Sequence, residues 1–152
     1  MVNGSDIIKR EALTLTTSGT VTFEVASGKT LTIRNDGIGE VSLVKTGEGS
    51  LVLDGAFDLN GLDVQGGTLT LKDKILPMLD GTAALSIAKT ATLNLDHDEQ
   101  ATFKTLKVGT QGRAAGVYSA TQGPNVVKSV LEGSGAIQIL EGSDPGIVIK
   151  IR

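Results

Sequence analysis

VSLVKTGEGSLVLDGAFDLNGLDVQGGTLTL, residues 41–71, is the stretch whose reading decides the fold. Short runs alternate apolar and polar residues: Val41/Leu43, then Leu51/Leu53, then Leu69/Leu71. A period of two places every second side chain on one face, the pattern of a half-buried strand. Each run is cut off by a glycine-bearing turn: Thr46-Gly47-Glu48-Gly49, Asp54-Gly55, Asn60-Gly61 or Gly66-Gly67. Glycine, and asparagine or aspartate before it, accept backbone conformations that close turns. Phe57, Leu59, Leu62 and Val64 are expected to form a further strand pair across Asn60-Gly61.

Outward from this stretch the same unit recurs in looser form. TVTFEV (residues 20–25) and TLTIR (30–34) precede it, with ALTLT (12–16) as an expected first strand. AALSI (83–87), ATLNL (91–95) and AIQIL (136–140) follow. ATFKTLKV, residues 101–108, reads as one strand with a bulge, because Phe103, Leu106 and Val108 shift phase. KDKILPML, residues 72–79, breaks the rhythm by bunching apolar residues around Pro77, so a short helical turn or irregular cap is expected there. Strand starts spaced by about 8 to 12 residues suit either a β-sandwich or a solenoid. The strand motif itself repeats, as TLTL, TVTF, TLTI, VSLV and TLNL, and one repeated strand type favours stacked coils, where like side chains form ladders. The reading is an all-β chain: a parallel β-solenoid over residues 1–140, with a β-sandwich as the alternative, then a linker and separate strand over 141–152.

Composition agrees with thin β layers. The 152 residues hold 20 glycines against 3 prolines, 3% aromatic residues and no tryptophan. Such a chain suits regular sheets better than an enzyme with a deep aromatic-lined pocket. A net charge of −3 with 20% charged residues gives no basic stripe for nucleic acid. No cysteine is present, which excludes disulfides and thiolate metal sites. No run reaches the length of a membrane span. The N-terminal residues lack an apolar signal core, so a secretion signal is expected to lie outside this sequence.

Two places resemble a known family. Leu43-Val-Lys-Thr-Gly-Glu-Gly-Ser-Leu-Val-Leu-Asp-Gly55, followed by Leu62-Asp-Val-Gln-Gly-Gly-Thr-Leu-Thr-Leu71, resembles the autotransporter-associated β-strand repeat. Leu106–Ala120 and Leu131–Leu140 are similar to the closing segment of surface proteins that bear such repeats. Together these cover about residues 41–140. The resemblance implies a right-handed parallel β-helix, exported to the cell surface or beyond, with a structural or adhesive role. It supplies no catalytic residue to carry over.

Chemistry-bearing residues are sparse. Asp96-His97-Asp98-Glu99 holds the sole histidine and could offer oxygen ligands to a cation, but acidic turns are ordinary solvated corners. A Ser-His-Asp triad could use only His97, and no serine sits in a nucleophile-elbow pattern. The glycine loops match no phosphate-cradling motif. Asp54 and Asp58 are a carboxylate pair without diagnostic spacing, and Arg113 with Tyr118, though read first as a satisfied loop arginine and a packed tyrosine, could contact a glycan. No catalytic residue, metal or cofactor is expected, and the protein is read as non-enzymatic.

The sharpest feature is Ile147-Val148-Ile149-Lys150-Ile151-Arg152, a β-prone run behind the flexible EGSDPG linker. It either pairs back onto its own domain as an edge strand or is donated to a neighbouring copy, with Ile147, Val148, Ile149 and Ile151 at the subunit interface. Head-to-tail donation does not close on itself and builds a filament. The expected function is an extracellular or cell-surface structural protein whose partners are copies of itself. The alternative is an adhesin or glycan-binding module, against which the low aromatic content argues, since sugar sites usually use stacking platforms.

Overall fold

The computed structural model describes residues 7–9, 19–34 and 38–142. The chain winds as coils, each crossing from one sheet to another at a short corner. β1 (Ile7–Lys9) stands before the first described coil, made of β2 (Gly19–Glu24) and β3 (Thr30–Ile33). β4 (Ile38–Thr46) and β5 (Ser50–Leu53) follow, then β6 (Phe57–Val64) and β7 (Thr68–Lys72). The segment expected to be a helical turn is a 3₁₀ stretch, Asp73–Met78, with Pro77 inside it. It leads to β8 (Ala84–Ile87), β9 (Thr92–Asp96) and β10 (Gln100–Phe103). β11 (Thr105–Val108) opens the last coil, which detours through β12 (Gln111–Gly112), β13 (Gly116–Ser119) and β14 (Asn125–Val126). β15 (Leu131–Gly133) and β16 (Ala136–Ile139) resume it.

Three sheets result, ordered β1-β3-β5-β7-β9-β15, β12-β11-β8-β6-β4-β2 and β10-β16-β13-β14. The first is parallel throughout, as is the second from β2 to β11. The expected β-solenoid is therefore the fold, at about four turns, and the sandwich alternative falls away because successive strands from β2 to β11 change sheet instead of forming hairpins.

Parallel, in-register stacking sets like on like. Leu31, Leu51, Leu69, Leu93 and Leu131 form one column, and Ile33, Leu53, Leu71 and Leu95 another. Leu43, Leu62, Leu85 and Leu106 form a third on the facing sheet. Every one of these side chains is buried, and burying each stabilises the fold by about 1.5–3 kcal/mol relative to exposure. The alternating positions carry Thr30, Ser50, Thr68 and Thr92 in register on the outside, which is why the sequence reads Thr-hydrophobic-Thr.

Two local expectations are corrected. Asn60-Gly61 does not separate two strands; both lie inside β6, where its register with β4 shifts between Val41/Leu59 and Ser42/Gly61. Phe57 and Leu59 point inward before this bulge, and Leu62 and Val64 after it. The extra residue lets one strand keep both pairs buried. Residues 101–108 are not one bulged strand but β10 and β11 on different sheets, with a corner at Lys104, whose N–H donates to the Ala83 carbonyl at 2.7 Å. The expected strand at 12–16 and the C-terminal strand at 147–152 lie outside the described residues.

The two ends of the stack differ. At the late end β12 runs antiparallel on β11, and β13 runs antiparallel on β16, so neither the second nor the third sheet presents a parallel ladder for continuation. At the early end, β2 pairs on one side with β4 and has no partner on its outer side among the described residues.

Candidate functional site

The glycine corners contain a charged residue that the alternation pattern points inward. Val41, Leu43 and Lys45 share the inner face of β4, and Lys45 has 0% exposed surface. Its Nζ donates to the carbonyls of Thr46 (2.8 Å), Gly47 (2.8 Å) and Gly66 (3.0 Å). All three ammonium protons are thereby used, tying the corner of one coil to that of the next. Burial lowers the Lys45 pKa below its ordinary value, with Glu48 opposing the shift. Gly47 and Gly67 hold the corner with φ of +76° and +62°, and a Cβ on either would strike a carbonyl oxygen of the coil below. The motif Lys-Thr-Gly-Glu-Gly is thus a structural clasp, and its ammonium has no proton left for a ligand.

The acidic corner divides. Asp96, Asp98 and Glu99 are exposed, whereas His97 is buried. The His97 Nδ1 bonds the Glu99 carbonyl at 2.9 Å, while Nε2 is buried without a partner. Ser134 Oγ donates to the His97 backbone carbonyl at 3.1 Å and to Asp98, not to the imidazole, so the nearest serine is not set up as a nucleophile. No cluster that could hold a metal ion is found among the described residues. Asp54 is engaged by the Arg34 Nε at 3.3 Å, and Asp58 sits on β6, so the two carboxylates are not paired with each other.

Arg113 and Tyr118 do come together. They border a cleft of about 500 Å³ in the detour between β11 and β15, with Pro124, Asn125, Val126 and Val127 completing its wall. Tyr118 donates its hydroxyl proton to the Ala114 carbonyl at 2.9 Å, and Asn125 Nδ2 donates to the Val117 carbonyl at 3.0 Å. The Arg113 backbone N–H is fixed on the Leu106 carbonyl at 2.8 Å. Its side-chain Nε is buried and has no partner.

The outer edge of β2 is the second surface of interest. Gly19, Thr20, Thr22 and Glu24 are exposed, while Val21 and Phe23 lie half-buried over the core. The sequence-derived interface residues Ile147, Val148, Ile149 and Ile151 lie outside the described residues. No helix among the described residues is long and apolar enough to cross a membrane. The chain matches no family model, no curated protein and no solved structure.

Proposed function

We propose that this protein is a non-enzymatic structural subunit that self-associates by donating residues 147–152 to the β2 edge of a neighbouring copy. The outer edge of β2, which has no partner among the described residues, is the observation that carries the reading. β2 is 6 residues long, the length of the Ile147–Arg152 run. Parallel addition with Ile147 opposite Gly19 sets Ile149 on Val21 and Ile151 on Phe23. It extends the column that already runs through Leu43, Leu62, Leu85 and Leu106, and covers the two half-buried side chains.

Chain length favours a partner's β2 edge over the chain's own β2 edge. Gly142 packs on Ala114 and Ala115 at the capped end of the stack. β2 lies four strands beyond β11, so a strand added outside it is about 24 Å away along the axis. From Gly142 to Ile147 the chain spans at most about 18 Å. Donation to the next copy joins late end to early end, and because that contact is head-to-tail it repeats as a filament.

The resemblance of residues 43–71 to the autotransporter-associated β-strand repeat supports placement outside the cell or on its surface. Removing residues 146–152 should leave the β spectrum of the fold intact and abolish polymers in negative-stain images. Equal assembly by the truncated chain overturns the reading.

A further inference from the structure

We propose that the cleft beside Arg113 is a binding site for a carboxylate carried on a ring-sized polar molecule, a sugar of the uronic-acid class. The cleft's volume, about 500 Å³, lies in the range of small-molecule sites. The protein carries a net charge of −3, yet Arg113 is the one charged side chain in the cleft wall, and it has no ion-pair partner among the described residues. Its Nε is already withdrawn from solvent and bonds to nothing. The buried Nε is out of a ligand's reach, but the terminal guanidinium nitrogens have no partner among the described residues, and a planar carboxylate in the cleft accepts from both of them together.

The rest of the wall selects among anions. Among the described residues no second cation and no helix end faces the cleft, so the charge matches a single carboxylate better than a phosphate. Asn125 spends one Nδ2 proton on Val117, which keeps its amide oxygen available to accept from a sugar hydroxyl. Pro124, Val126 and Val127 offer an apolar side for ring C–H groups, with Val126 45% exposed at the rim.

The frame is set before any ligand arrives. The Arg113–Leu106 and Tyr118–Ala114 bonds, and the Val127 N–H on the Ser119 carbonyl at 2.9 Å, hold the three segments of the wall together. The chain's 3% aromatic content leaves little for ring stacking, so the Arg113 charge is the main determinant of binding in this cleft. The site is independent of the β2 edge, so its success or failure leaves the assembly reading untouched.

The test titrates glucuronate into the full-length protein by NMR or calorimetry, with glucose and inorganic phosphate as comparators. Glucuronate should bind with a dissociation constant on the order of 1 mM, and glucose at least about tenfold more weakly. Arg113→Gln should weaken glucuronate by about tenfold or more while circular dichroism stays unchanged. Val126→Asp, an exposed rim change that adds a like charge, should weaken it as well, and it decides the matter if Arg113→Gln does not fold. No binding up to about 20 mM overturns the proposal. So does undiminished binding by both variants, equal binding of glucose, or tighter binding of phosphate.

Discussion

At the scale of single residues, Lys45 decides more than its type suggests. Replacing it with methionine keeps the stem buried but removes the ammonium donor from the Gly47 and Gly66 carbonyls and leaves that of Thr46 with the Val25 N–H alone. Lys45→Met should cost about 2–4 kcal/mol in chemical denaturation. Its pH signature has a definite sign. Burial lowers the folded pKa below 10.5, so between the two values the unfolded chain binds more protons, and stability rises with pH. The gap between wild type and Lys45→Met should widen as the solution is made more alkaline through that window. A constant gap would show that the ammonium is not desolvated.

Glycine positions separate in the same way. Gly28 has φ +72° with open space around it, so Gly28→Ala should cost only backbone strain, about 1 kcal/mol. Gly67 has φ +62° and the Gly49 carbonyl in the path of a Cβ, so Gly67→Ala should cost about 2–4 kcal/mol, read as a difference in denaturation midpoints. The inward placement of Lys45 and His97 was legible, because each continues the alternation of Leu43 or of Leu93 and Leu95 past the point where apolar residues stop. What hid it was residue type: charge and loop-like neighbours suggest solvent, and the carbonyl cage that satisfies Lys45 forms only when two coils stack.

At the scale of elements, phase carries the information. Phe57/Leu59 and Leu62/Val64 are out of step by one residue, which in a hairpin reading calls for a turn and in a coil calls for a bulge. The structure takes the bulge, because parallel coils need no reversal within a side. Deleting Asn60 should therefore force one of the two pairs outward and destabilise the protein far more than deleting a residue from a loop. A thermal melt of that deletion within a few degrees of wild type would refute the argument. The shift at Phe103/Leu106 carries the same one-residue signal but marks a corner between sheets, and periodicity alone does not distinguish the two. Arg113 and Tyr118 were visible as residue types, but the cleft was not: it is built by the antiparallel detour of β12–β14, which breaks the repeat from which the rest of the fold can be read.

At the scale of the whole molecule, assembly is a matter of which edges are covered. The proposed contact puts Ile149 of one copy opposite Val21 of the next, and the chain has no cysteine of its own. A Val21→Cys/Ile149→Cys variant should therefore oxidise to a disulfide-linked ladder of oligomers on non-reducing gels, and exclusively monomeric protein under conditions where filaments form would rule out that register. The antiparallel cap has a consequence for how the chain is made. On the ribosome the coils emerge in order, and each finished coil presents a fresh parallel edge until the next covers it. Residues 109–127, which turn that edge antiparallel, come after nearly every strand they protect. A nascent chain stalled before them is a growing template exposed to its neighbours on the same message, so translation itself is the interval in which premature joining must be avoided.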